Sequence, residues 1–110
     1  MQLDTALDAY KQAVKVKPDY AEAYYNMGVT QKIIGNLQAA IESYEQAIKI
    51  NPDYADAYNN MGLALQEKGD VNAALKSFKK ALNFKPDYAE AYNNMGVAQN
   101  SKGDPESAIQ

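Results

Sequence analysis

Three asparagines, Asn26, Asn60 and Asn94, stand 34 residues apart, and three acids, Glu22, Asp56 and Glu90, keep the same interval. A carboxamide is both donor and acceptor, so a row of them can bond an extended polypeptide backbone without reading its side chains. A row of carboxylates favours a neutral or basic ligand over an acidic one. Other chemistry is thin. The chain contains no Cys, His, Trp or Arg, which removes thiol nucleophiles and the commonest general base and metal ligand. Ser43, Ser77, Ser101 and Ser107 have no His to activate them, no Lys lies in an evident apolar pocket, and no Gly-rich stretch fits a phosphate loop. The three acids do not form a calcium site either, since packed helices lie roughly 10 Å apart while calcium takes its oxygens at about 2.3–2.6 Å. No enzymatic activity, metal or cofactor is expected.

At 46% hydrophobic and 23% charged residues, the composition is that of a folded, water-soluble chain. The formal net charge is −3, which disfavours nucleic acid as a partner. No apolar run approaches the roughly 18 residues that cross a bilayer, so no membrane span is expected. The start, Met1-Gln2-Leu3-Asp4, lacks the pattern of a secretory signal. A cytoplasmic location is expected unless a targeting segment lies outside these residues. Without Cys, the redox compartment stays open.

What positions the repeated side chains is itself a repeat. Pro18, Pro52 and Pro86, then Gly28, Gly62 and Gly96, then Gly35, Gly69 and Gly103 all recur at 34 residues, and 110 residues hold about 3.2 such periods. A period of this size marks a stacked architecture. Asp19, Asp53 and Asp87 suit N-caps, with Glu22, Asp56 and Glu90 adding charge to the first turn. Each helix should run about 14 residues to Gly35, Gly69 or Gly103 as a left-handed stop, with Asn36, Asp70 or Asp104 capping the next helix and Pro105 at its first position. That second helix carries Leu37, Ala40, Ile41, Tyr44, Ala47 and Ile48 as an apolar stripe and ends before Asn51-Pro52. No segment alternates with period two, so no strand is expected. The unit is a helical hairpin. Gly28 with Ala40, and Gly62 with Ala74, are placed at the helix crossing. Tyr24, Met27 and Tyr44, or Tyr58, Met61 and Phe78, fill the flanks as core.

The pattern Tyr24-x2-Met27-Gly28-x2-Gln31, then Ala40-x3-Tyr44, Ala47 and Pro52, resembles the tetratricopeptide repeat. Tyr stands where Trp is usual, Met replaces Leu, and Gln31, Leu65 and Gln99 occupy a position that is usually Tyr. The resemblance implies an all-α fold, a right-handed α-solenoid of antiparallel helical hairpins with a 34-residue repeat. It divides the chain into a second helix of a truncated first repeat (1–20), full repeats at 21–54 and 55–88, and a last, truncated repeat at 89–110. It also implies a concave groove, lined by the first helices, that binds peptide segments. The phrase Ala57-Tyr58-Asn59-Asn60-Met61-Gly62 is similar to repeats in the substrate-binding arm of O-linked N-acetylglucosamine transferases and in many bacterial repeat proteins. The catalytic domain of such an enzyme is absent from these residues.

On a wheel of about 100° per residue, Tyr24, Met27, Gly28 and Gln31 mark the buried face of the first helix. Opposite lie Glu22, Tyr25, Asn26 and Val29, with Lys32 and Ile33 further along. The same face then reads Asp56, Asn59, Asn60 and Leu63, with Gln66 and Glu67, and finally Glu90, Asn93, Asn94 and Val97, with Asn100 and Ser101. By resemblance this face lines the groove. Asn is a mediocre helix former, so three of them mid-helix favour a binding role. Val29, Leu63 and Val97 form either an apolar strip for a ligand or a contact between neighbouring first helices. Only Lys32 offsets the acids, so the expected partner is an extended protein or peptide segment, neutral or basic. The clamp that grips the C-terminal carboxylate of heat-shock chaperones is not expected, since Tyr25, Val29, Glu90 and Asn94 stand where its basic groups would be. Lys76, Lys79, Lys80 and Lys85 read as a solvated outer face, and Tyr20, Tyr54 and Tyr88 as packing at the inter-repeat turn.

The two ends leave a second expectation. Leu3, Leu7, Tyr10 and Val14 repeat the second-helix stripe without a first helix before it, and Tyr92, Met95 and Gln99 belong to a first helix followed by only a short stub. Solenoids need polar terminal caps, and these two faces are complementary. A head-to-tail homo-oligomer is therefore the alternative to peptide binding, alongside a substrate-recognition arm cut from a larger glycosyltransferase.

Overall fold

A computed structural model describes residues 2–102, which form six helices: α1 (Gln2–Val16), α2 (Ala21–Ile34), α3 (Leu37–Ile50), α4 (Ala55–Lys68), α5 (Val71–Phe84) and α6 (Ala89–Lys102). Each helix packs on its neighbours in sequence, and the first helices also touch, α2 with α4 and α4 with α6. The result is an all-α helical repeat solenoid. Its extents are 53 × 30 × 18 Å, and its radius of gyration of 14.9 Å exceeds the roughly 13 Å of a compact chain this long.

The glycine stops form as the spacing predicts. Gly35 and Gly69 take φ of 98° and 100°, a region open to glycine at little cost. The amides of Gly35 and Asn36 reach back to the carbonyls of Lys32 and Gln31 at 3.0 and 2.9 Å, closing a Schellman motif, and Asp70 N reaches Leu65 O at 2.8 Å. Asn36 and Asp70 then cap the following helices, accepting from Ala39 N at 3.2 Å and Ala73 N at 3.3 Å. Gly103, Asp104 and Pro105 lie outside the described residues.

The expected caps at Asp19 and Asp53 are displaced by one residue. Tyr20 and Tyr54 are the N-caps, without a side-chain cap bond. The reason is the proline. Lys17 O accepts from Tyr20 N, and Asn51 O from Tyr54 N, both at 3.1 Å, so Pro and Asp take the two central positions of a β-turn. The same bond joins Lys85 O to Tyr88 N at 3.1 Å. The Asp is held inside the turn and Tyr takes the junction.

The crossing also differs from expectation. Tyr44 does not flank Gly28; its ring covers it. A Cβ on Gly28 would meet Tyr44 Cε1 at 2.5 Å, and one on Gly62 would meet Phe78 Cε1 at 2.5 Å. These glycines make room for an aromatic ring from the second helix. Tyr44 and Phe78 are the largest fully buried apolar side chains, and each also touches the next first helix, through Ala64 and Met61 or through Ala98 and Met95. Fully buried alanines, Ala40, Ala47, Ala57, Ala64, Ala74 and Ala81 among them, allow this close packing. Gln31 is buried as well, its side-chain carbonyl accepting the Ser43 hydroxyl at 2.5 Å. A Ser one helix away thus satisfies the polar group that replaces Tyr.

Candidate functional site

The first helices α2, α4 and α6 stand side by side, and the side chains of their shared face interlock. Asn60 Nδ2 on α4 donates to the Tyr25 hydroxyl on α2 at 2.6 Å. One repeat on, Asn94 Nδ2 on α6 donates to Asn59 Oδ1 at 3.0 Å, and Asn59 Nδ2 donates to Glu90 at 3.4 Å. The rule joins residue 25 or 59 of one helix to the residue 35 positions on. Asn59 is 0% exposed, so the sequence reading of it as a ligand contact is corrected: it lies on α4 against α6 and spends both its carboxamide N–H and its carbonyl on α6, at Glu90 and Asn94. Asn60 and Asn94 are half-buried, each with an N–H committed to a neighbouring helix, while Asn26 is half-buried and Asn93 exposed. Two of the three asparagines at one repeat position, Asn60 and Asn94, are thus first a brace between repeats.

The apolar strip divides in the same way. Val29 packs on the cluster around Tyr44 and Leu63 on the cluster around Phe78, so both are partly buried core contacts; Val97 remains open, 52% exposed. Lys32 turns away from the three acids to pair with Glu67 at 2.7 Å. Glu22 and Glu90 are exposed and Asp56 half-buried, all in first turns where the helix N-terminus stabilises a carboxylate.

The turn tyrosines bring to this face what the sequence reading assigned to packing alone. The Tyr54 ring lies 5.1 Å from the Tyr25 ring, which in turn lies 5.9 Å from Tyr44. Burial, reinforced by Tyr25, Glu22 and Asp56, pushes the Tyr54 hydroxyl up to about 12. The Tyr88 hydroxyl bonds to Asp56; burial and this bond raise its pKa well above the usual phenol range, with Glu90 adding to the effect. Burial and Asp56 raise that of Tyr25, while the Asn60 bond lowers it. At neutral pH all three remain protonated rings beside carboxylates, an arrangement that suits cations through charge and ring quadrupole together. Lys85 already does this from outside, its ammonium 4.4 Å from the Tyr88 ring centre, as Lys17 does over Tyr20 at 4.8 Å. Lys85 is therefore not purely a solvated charge, whereas Lys76, Lys79 and Lys80 are exposed on α5. The signal for this tyrosine edge was the recurrence of Tyr20, Tyr54 and Tyr88 directly before each acidic first turn.

At the chain ends, Leu3, Leu7, Tyr10 and Val14 are half-buried on α1, which packs on α2. Tyr92 is 53% exposed and Gln99 is exposed, but Met95 packs against the Phe78 cluster within the chain. Met95 is thus corrected from a self-association contact to a core residue. A separate depression of about 360 Å³, lined by Tyr24, Gln31, Ala39, Glu42, Ser43, Glu45 and Gln46, shares no residue with the acidic face. Its Gln31 and Ser43 are already bonded to each other. Among the described residues no group of three His, Cys, Asp or Glu could hold a metal ion, and no helix is long and apolar enough to cross a membrane.

Comparison with known proteins bears on the architecture. The TPR repeat family model matches residues 2–32, 33–69 and 65–103. No curated protein matches the chain. Among solved structures, MamA is 34% identical with a TM-score of 0.88, over 97% of this chain and 63% of MamA. The chain therefore spans less than two thirds of that protein's length. An O-GlcNAc transferase mutant from Thermobaculum terrenum is 27% identical with a TM-score of 0.82, over 87% of this chain but 18% of that one. YrrB, described as a TPR protein with an unusual peptide-binding site, is 27% identical with a TM-score of 0.79, over 84% of this chain and 47% of its own. With three successive family matches laid over helical hairpins in a 34-residue register, the chain belongs to the TPR repeat family.

Proposed function

We propose that the chain is a protein-interaction scaffold whose first-helix face takes an extended peptide segment, neutral or basic in charge. The observation that carries this reading is the tyrosine–carboxylate edge, with Tyr54 and Tyr88 set against Glu22, Asp56 and Glu90 while Lys32 is drawn off to Glu67. A Lys or Arg side chain placed there meets both a ring face and a carboxylate. The peptide backbone finds the outward atoms of Asn26, Asn60, Asn93 and Asn94, and Tyr25 and Val97 offer apolar surface. The asparagine brace keeps this edge in register for the ligand, so its service to the ligand is mainly indirect. YrrB, with its peptide-binding site on the same fold, supports the class of partner.

The test is fluorescence anisotropy with unstructured labelled decapeptides of matched length carrying lysines, no charge, or glutamates. Affinity should fall in that order, and raised salt should narrow the gap between lysine and neutral peptides as exposed charges are screened. Glu90→Gln, at an exposed position, should weaken the lysine peptides several-fold and leave the neutral ones unchanged. Equal binding of glutamate and lysine peptides overturns the charge preference, and no binding by any of them overturns the proposed function.

A further inference from the structure

One turn recurs three times with a single change. Lys17-Pro18-Asp19-Tyr20, Asn51-Pro52-Asp53-Tyr54 and Lys85-Pro86-Asp87-Tyr88 follow one another at 34 residues. In each, the tyrosine N–H donates to the carbonyl three residues back at 3.1 Å. The backbone entering the turn also agrees: φ and ψ are −126° and 87° at Asn51 and −139° and 81° at Lys85, and their amides donate to Ala47 and Ala81 at 2.8 and 2.9 Å. What differs is the first side chain. The Lys17 ammonium lies over the Tyr20 ring, 4.8 Å from its centre, and the Lys85 ammonium over the Tyr88 ring at 4.4 Å. With matching backbones, a lysine at 51 would reach Tyr54 in the same way. Asn51 is too short to do so and carries no charge, and among the described residues no lysine lies over Tyr54.

The uncovered ring is the one with carboxylates of two repeats around it. Tyr54 is half-buried, and Tyr25 from α2 packs on it with ring centres 5.1 Å apart, which fixes the ring in place. Glu22 on α2 and Asp56 on α4 both act electrostatically on its hydroxyl, while Lys32 is tied to Glu67. A cation above such a ring is held by the ring quadrupole and by the carboxylates together. The two lysines of the chain itself show which group this turn geometry seats, an ammonium on a flexible, unbranched stem. We propose that Tyr54 anchors one lysine side chain of the bound peptide, seated over the ring on the side away from Tyr25, in the place that Lys17 and Lys85 fill at the other two turns. Asn51 then sets the specificity, because it leaves open at the central turn a site that lysine closes at its neighbours. The inference rests on the peptide-binding reading above and narrows it from a general preference for positive charge to one lysine at one ring.

The test uses the full 110-residue chain and an unstructured, otherwise neutral decapeptide with one isotopically labelled lysine, against the same peptide with norleucine in its place. Wild type should favour the lysine peptide by about three- to tenfold, and isotope-filtered NOE spectra should join the lysine ε-methylene to the Tyr54 ring protons. The exchange Asn51→Lys with Lys85→Asn keeps the net charge, and it gives each turn a residue that an equivalent turn already carries, at two exposed positions, so the fold is preserved. It should move the NOE contacts from Tyr54 to Tyr88. Asn51→Lys alone, which closes the last open ring, should bring the lysine peptide down to the affinity of the norleucine peptide. Contacts that stay on Tyr54 after the exchange, or that fall elsewhere on the first-helix face in wild type, overturn the lysine anchor while leaving the peptide-binding reading standing. If neither peptide binds, both fall.

Discussion

Alanine at the three equivalent glycines should change stability in opposite directions. In a helix interior, Gly→Ala gains about 0.8–1.0 kcal/mol from backbone entropy and propensity. At Gly28 the new methyl would sit 2.5, 2.7 and 2.9 Å from three ring carbons of Tyr44, and at Gly62 it would sit 2.5, 2.8 and 2.9 Å from those of Phe78. Comfortable carbon–carbon contact is about 3.5–4.0 Å, so each ring must retreat by about 1 Å. Neither can do so freely, since both are fully buried between two helices. Overpacking of this kind costs about 1–3 kcal/mol, leaving a net loss of up to about 2 kcal/mol once the helix-propensity gain is subtracted. At Gly96 nothing stands within 4 Å among the described residues, so Gly96→Ala should instead gain about 0.5–1 kcal/mol. Urea denaturation followed by far-UV circular dichroism at low protein concentration separates these outcomes. A change of 1 kcal/mol corresponds to about 4–8 °C in Tm for a chain near this size. If Gly28→Ala and Gly62→Ala stabilise as much as Gly96→Ala, the rings do not occupy the glycine slots, and the packing argument fails.

Three further outcomes follow from the same packing. Tyr44 carries a buried hydroxyl with no hydrogen-bond partner among the described residues, and Phe78 fills the equivalent slot without one; Tyr44→Phe should leave stability unchanged or raise it by about 1 kcal/mol, and a loss of that size in urea melts would reveal a partner for the hydroxyl. Asn59→Ala should lose about 1–3 kcal/mol by stranding its partners in the seam, whereas Asn93→Ala, at the exposed equivalent position, should change stability by a few tenths at most; equal effects would refute the brace. Tyr54 titrates at about 12 in the folded chain and Tyr25, Tyr44 and Tyr88 are also raised, with burial first in each case. Above about pH 10 the unfolded chain loses these phenol protons first, so it binds fewer protons than the folded chain and stability falls as pH rises. For Tyr54 the fall continues until its folded value near 12 is passed. Tyrosinate absorbance should therefore develop later in the folded protein than in urea, and coincident curves would contradict the burial of these hydroxyls.

The hairpins were legible because their signals are local. A glycine with φ near 98° at residue 35 and an Asn or Asp cap directly after each stop are fixed by one or two residues of chain. The stripe from Leu37 to Ile48 likewise needs no partner to be recognised. The asparagines misled because their bonds join residue 59 to residue 94, a 35-residue offset that is invisible when the chain is aligned in columns of 34. The adjacent pairs Asn59-Asn60 and Asn93-Asn94 were the available hint, since a doublet lets one member reach back and the other forward. The spacing places Tyr44 in the core but beside Gly28 rather than over it, because a glycine at a helix crossing suits a close backbone as well as a ring, and Gly28 admits the ring. The cap moved from Asp53 to Tyr54 because the Asn51–Tyr54 turn claimed the aspartate first, a competition between turn and helix that propensity alone does not rank.

The most direct test of the scaffold reading is where a bound peptide leaves its mark. In amide and side-chain NMR spectra titrated with an unstructured lysine-bearing decapeptide, the first-helix face should respond: Glu22, Tyr54, Asp56, Tyr88, Glu90 and Val97 should shift together along one saturable curve, while Glu42, Glu45, Lys76 and Lys79 on the second helices stay still. Shifts concentrated at Glu42 and Glu45, or an absence of saturable shifts on α2, α4 and α6, would contradict the proposal that this face is the binding surface.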